Sequence, residues 1–259
     1  MGDTEQKNIR RYMLTVSFDG TDFCGWQVQA NGISVQRLLL DSLDSVSVKT
    51  TDGVHGCSRT DSGVHADGFV CHFDSATAIP CDNIVKALNT KLPESVRAVR
   101  CRTVSSDFHA RYSVTSKTYR YTINDSPISD PFTYKYEYHY GRKLDVSEMA
   151  RAASFIEGKH DFSAFCASGS SVEDKTRTVY FCKVKRKDGR VTVEINGDGF
   201  LYNMVRIIVG TLISVSEGKC SPEDIKGIID SHDRSKAGTT APACGLRLYR
   251  VYYKDGEGT

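Results

Sequence analysis

Between Gly56 and Gly68 the chain reads Gly-Cys-Ser-Arg-Thr-Asp-Ser-Gly-Val-His-Ala-Asp-Gly, with glycine and small polar residues around Arg59 and Asp61. Such a composition lets backbone approach a ligand closely. Arg59 and Asp61 stand two apart, so an extended backbone points both side chains to one side. A guanidinium held there keeps a carboxylate ionised, the state a nucleophile requires. The same residues also fit a plainer reading, Asp61 capping a turn and Arg59 as a surface charge; spacing alone leaves both open. A second conspicuous charge is Arg206, which interrupts the apolar run Leu201 to Leu212. It must reach an edge or a partner, because unpaired burial costs several kcal/mol.

Metal and disulfide chemistry find little support. The nine cysteines are odd in number and scattered, with no CxxC pair, and some sit in apolar runs such as Phe69-Val70-Cys71-His72-Phe73. They read as small buried hydrophobes in a reducing compartment. No HExxH or similar spacing links the seven histidines, so no metal is expected. With 39% hydrophobic and 25% charged residues the chain is of ordinary globular type. A net charge of +2 excludes an arm-type polycation but permits a local basic face. Met1 to Arg11 is polar, and no stretch has the length of a membrane span, which makes a cytoplasmic location the expectation.

The elements that must position these groups follow from periodicity. Tyr12, Leu14, Val16 and Phe18 alternate on one face of a strand, and a Gly-containing loop, 19–32, follows. Ser34 caps a helix carrying Val35, Leu38, Leu39, Leu43 and Val46. Most of the segment 51–68 reads as a loop, Phe69 to Phe73 and Val96 to Val104 as strands, and Asp82 as the cap of a helix between them. This first half is β-α-β-β-α-β. The second half has a strand at Thr118 to Asn124 and an extended aromatic segment at Tyr134 to Tyr140. Asp145 caps a helix ending near Gly158, and two strands flank Lys187-Asp188-Gly189. A helix then runs from Leu201 to Glu217 with Gly218 as its stop, and another opens at Ser221 with Pro222 as its first residue. The last strand is Leu246 to Tyr253. The irregular order of strands and helices favours α+β over a doubly wound sheet.

Ser58 to Ala66, Ser-Arg-Thr-Asp-Ser-Gly-Val-His-Ala, resembles the active-site motif of the TruA family of tRNA pseudouridine synthases. The likeness continues in order along almost the whole chain. It includes Phe23 to Gln29, Phe108-His109-Ala110-Arg111 with Lys117 to Tyr121, His160 to Phe165, Gly199 to Gly210, and Thr240 to Leu246. Two positions depart from the usual pattern: Ser58, where many members carry Gly, and Phe69, where many carry Gln. Ser58 is a modest change if its φ is negative, and Phe69 is expected to pack.

The resemblance implies an α+β protein of two ferredoxin-like halves, 1–113 with the Asp61 loop and 114–259. Their mainly antiparallel sheets would abut around a central active-site cleft. It implies an isomerase that breaks the N1–C1′ bond of a uridine, turns the base and joins C5 to C1′. Nothing is oxidised and no group leaves, so no cofactor is needed. Asp61 would attack C1′ or remove the 2′ proton; Tyr119 would stack near the base and help remove the C5 proton, Arg206 pair with the aspartate, Arg59 enter the duplex, and Leu246 pack beneath the base. Arg111 and Lys117 are expected among the RNA contacts, with Arg97, Arg100, Arg102 and Arg120 as further candidates. The expected partners are tRNA, at anticodon stem-loop uridines around positions 38 to 40, and a second copy of the chain. The rivals are a synthase for another RNA site, a non-catalytic RNA-binding protein, and a small-molecule nucleoside enzyme.

Overall fold

Strand β1 (Arg10–Phe18) is buried over Tyr12–Val16 on both of its faces, not on one. The reason is its place in the middle of an antiparallel set. It pairs with β3 (His65–Ser75) on one side and β4 (Val96–Val104) on the other. The face bearing Met13 and His72 is closed by the segment Phe108–Tyr112 rather than left to solvent. The computed structural model describes residues 9–30 and 32–254, which divide into two compact units. The first comprises residues up to Val114 together with those from Val251 onward; the second is Thr115–Arg250.

In the first unit the strand order is β4-β1-β3, with the two-residue β2 (His55–Gly56) on the far side of β3. Helix α1 (Val35–Ser45) is capped by the Ser34 hydroxyl, which accepts the Arg37 N–H, as the sequence suggests. Helix α2 (Cys81–Asn89) corrects the expectation at Asp82. Its N-cap is Pro80, whose carbonyl accepts from Asn83 and Ile84, and Asp82 lies within the first turn. There it favours the positive end of the helix without capping it. Arg11 ties the unit together: its guanidinium makes two 2.7 Å bonds to Asp74 and also donates to the carbonyls of Ser106 and Phe108.

In the second unit Leu246–Arg250 of β10 (Leu246–Tyr253) neighbours β5 (Val114–Asn124), followed by β9 (Arg190–Gly197), β8 (Thr176–Lys187) and β7 (Gly158–Asp161). Asp188 and Gly189 both adopt positive φ, 49° and 73°, giving the tight turn between β8 and β9. Helix α3 (Val146–Ser154) is capped by Asp145 but stops at Ser154, so Gly158 opens β7 instead of ending the helix. Helix α4 (Met204–Ser216) starts three residues later than expected, because Asn203 takes a left-handed φ of 58°. Gly218, φ 70°, stops it as anticipated. Helix α5 (Asp224–Ser231) begins after a turn at Pro222, not at Pro222 itself.

The expected aromatic strand at Tyr134 to Tyr140 is mostly turn. Asp130 accepts the N–H groups of Phe132 through its carboxylate and of Thr133 and Tyr134 through its carbonyl. Only β6 (Tyr138–His139) pairs, parallel to β5. Asp125, almost fully buried, takes two 2.7 Å bonds from Arg186 and one from the Leu144 N–H. Those bonds, led by Arg186, lower its carboxyl to about 2. No helix of the described residues is long and apolar enough to cross a membrane.

Candidate active site

The Cys57 N–H bonds to the Val70 carbonyl, extending the β2–β3 pairing, and the chain then leaves the sheet as a loop. Arg59 is exposed, Thr60 buried and Asp61 half-buried. This alternation is what an extended stretch gives, with Thr60 turned to the interior and its neighbours turned outward. The chain doubles back at Asp61–Val64, where the Val64 N–H reaches the Asp61 carbonyl at 3.2 Å and Gly63 has φ 76°. Ser58 is not among the positive-φ residues, so its side chain brings no left-handed strain to the loop.

The loop rests on a second loop, residues 19–26, mainly through backbone. Trp26 N–H donates to the Thr60 carbonyl, Gly63 N–H and the Ser62 hydroxyl donate to the Phe23 carbonyl, and Gly20 N–H donates to His65 Nδ1 at 3.0 Å. Contact is close enough that a Cβ on Gly20 would stand 2.0 Å from the Val64 oxygen. Trp26 stacks on Phe69 at 4.1 Å, and a Cβ on Gly56 would lie 2.6 Å from the indole. Phe69 therefore packs, and it supports the loop from below. The roles of Gly20, Gly25 and Thr60 were missed from the sequence, where glycine abundance signalled close approach without saying to what.

The Thr60 hydroxyl is buried and has no hydrogen-bond partner among the described residues. A valine of the same shape removes that unsatisfied group, so Thr60→Val is expected to raise stability by about 1 kcal/mol. Denaturant titration of the two proteins checks this, and a destabilised variant would show that the hydroxyl is satisfied.

Beside the loop lies a group of histidines not anticipated from spacing. His55 stacks on His72 at 4.9 Å, and His109 meets His72 edge-on at 4.6 Å. His72 Nδ1 accepts the Ala110 N–H, so its ring must be neutral. Burial, reinforced by His109 and Arg11, lowers its pKa to about 4, and His109 is lowered too, again mainly by burial. A histidine depressed on folding is protonated first in the unfolded chain. Stability is therefore intact above about pH 6.5 and declines as pH falls toward 4. Urea midpoints across that range should drop in wild type and drop less in His72→Gln. Among the described residues no three His, Cys, Asp or Glu side chains are grouped as metal ligands would be.

Of the remaining site candidates, Arg111 is exposed in the first unit, and Lys117, Tyr119, Arg206 and Leu246 belong to the second. Tyr119 is buried opposite Ile195 with its ring edge-on to Phe200 at 5.0 Å. Arg206, in the first turn of α4, donates through Nε to the Ala241 carbonyl (2.7 Å) and through Nη1 to Asn203 (2.8 Å). The apolar helix thus places its one charge at its start, where it finds partners. Tyr121, two residues from Tyr119, donates to the Pro242 carbonyl, and burial pushes its hydroxyl pKa up. Leu246, at the start of β10, and Lys117 are buried. Two proposed RNA contacts are occupied internally. Arg120 pairs with Glu194 at 3.0 Å and lies 3.7 Å over the Tyr249 ring, and Arg97 donates to the carbonyls of Leu92, Pro93 and Val96.

A family model described as tRNA pseudouridine synthase matches residues 14–113 and 152–254, more than half of the chain. The chain belongs to the tRNA pseudouridine synthases. Relatives in this family include the "tRNA pseudouridine synthase A" of Brevibacillus brevis, 44% identical over 245 residues that span 95% of this chain and 100% of the relative. The like-named proteins of Acetivibrio thermocellus and Clostridium acetobutylicum are 45% and 42% identical, with the same coverage of both chains. The first family match runs through the whole Asp61 loop and the loop it rests on, and the second through Arg206 and Leu246.

Proposed function

We propose that this tRNA pseudouridine synthase isomerises uridines of the anticodon stem-loop, around tRNA positions 38 to 40, with Asp61 as its catalytic carboxylate. The observation that carries the reading is the seating of the Asp61 loop. A half-buried carboxylate, with Arg59 two residues before it, stands on a loop held by backbone bonds made within the chain. Such preorganisation suits a reaction that develops positive charge on the sugar as the N1–C1′ bond breaks. Asp61 either attacks C1′ and is later displaced by C5, or takes the 2′ proton and later returns it. In both, N1–C1′ breaks, the base turns and C5 bonds to C1′. The proton given up by C5, with Tyr119 assigned to help remove it, is balanced by one gained at N1.

Tyr119 is assigned the contact with the target base, Arg206 the pairing with the aspartate, Arg59 the space left by the flipped nucleotide, and Leu246 the floor beneath the base. Arg111 and Lys117 are assigned to RNA binding. The same reading carries the family's two ferredoxin-like halves, 1–113 and 114–259, around a central cleft. It also carries a homodimer, a cytoplasmic setting and a reaction without cofactor. Incubating an unmodified tRNA transcript with purified protein, followed by carbodiimide-dependent reverse-transcription stops, tests it. Stops are expected at 38 to 40. Stops only elsewhere in the tRNA would reassign the site, and none at all would remove the activity.

A further inference from the structure

Tyr112 is 77% exposed, yet its ring does not stand loose in solvent. It packs on His109 with ring centroids 4.3 Å apart, and His109 packs on His72, which stacks in turn on His55. The backbone beneath is held by the same imidazoles. The N–H groups of Arg111 and Tyr112 point at His109 Nδ1 at 3.1 and 3.3 Å, and that of Ala110 donates to His72 Nδ1 at 3.2 Å. The Arg111 guanidinium lies 5.9 Å from the centre of the Tyr112 ring. One aromatic face and one cation are thus presented outward on a turn fixed from below.

A protein partner would need a wider apolar surface, whereas the nearby Ser105, Ser106 and Asp107 are polar and exposed. A single π-face beside a guanidinium matches a flat base that carries a phosphate. We propose that Tyr112 and Arg111 form a stacking platform for one unpaired nucleotide of the RNA substrate, with His109 and His72 as the residues that position it. This rests on the tRNA reading and extends it to a contact for which no role has been assigned to Tyr112.

The test uses the full-length protein and its Tyr112→Ala, Tyr112→Phe and Arg111→Gln variants. The probe is an unmodified tRNA transcript in filter binding at several salt concentrations. Tyr112→Ala should weaken Kd about 5- to 100-fold with no change in the slope of log Kd against log salt. Tyr112→Phe should bind like wild type, because the ring and not the hydroxyl does the stacking. Arg111→Gln should reduce the salt slope by about one, as loss of a single phosphate contact does. A Tyr112→Ala protein with wild-type Kd overturns the proposal, as does a Phe variant as weak as the Ala variant. Because affinity is read directly, a wild type that bound tRNA without forming pseudouridine would sink the catalytic reading and leave this one to be judged by its own variants.

Discussion

Asp61→Asn should fold as the wild type does, bind tRNA, and lose at least about four orders of magnitude in kcat. The amide has the carboxylate's shape, and the bonds that hold the loop are made by backbone at Thr60, Asp61 and Gly63, so the variant keeps its seat. It cannot attack C1′, cannot accept the 2′ proton, and offers no negative charge to the sugar. Single-turnover assays with excess enzyme separate this loss from any change in affinity. Asp61→Glu restores the charge but moves it by one methylene, and is expected to recover less than about 1% of the rate, given how steeply rate falls with misplacement. Turnover by Asp61→Asn within tenfold of wild type would move the chemistry to another carboxylate.

Gly25→Ala should produce the next largest loss, through a residue with no functional group. Gly25 has φ 97°, a conformation that costs an L-residue about 1–2 kcal/mol. Its absent Cβ would also stand 2.4 Å from the Thr60 oxygen and 3.1 Å from the carbonyl carbon of Asp61. The Gly25 carbonyl accepts the Val35 N–H at the start of α1, so the glycine cannot retreat without disturbing that helix. The strain must fall on the Asp61 loop. Stability should drop by about 2–4 kcal/mol, and kcat by about a hundredfold from displacement of the carboxylate by about an ångström. Thermal melts and rates measured well below the variant's Tm distinguish the two effects. A stable variant of full activity would show that the loop yields freely.

The chemistry was more legible in the chain than its support was. The order of residues 58–66 carried the likeness to the family that the comparisons show, and Arg206 stood out because an apolar helix had to account for it. The strands Val96–Val104 and Leu246–Tyr253 and the Asp188-Gly189 turn could be read from local pattern, since each depends on neighbouring residues. The failures share a cause. Pro80, not Asp82, starts α2 because a fixed φ competed with a capping side chain. Asp130 gathers three N–H groups and converts an alternating aromatic run into turns. β3 begins at His65, four residues before its apolar run, because Ala66 pairs with Phe18 across a bulge. The histidine group was invisible because His55, His72 and His109 are brought together by strand register and by a distant turn.

The loop that carries Asp61 is set down on main-chain bonds to Phe23 and Trp26, all of them made within the chain itself. Its conformational entropy is therefore lost once, during folding of the chain, and not again at each encounter. Association with tRNA is spared the ordering of this loop. More of the free energy of the encounter remains for the harder act, pulling a stacked uridine out of its helix.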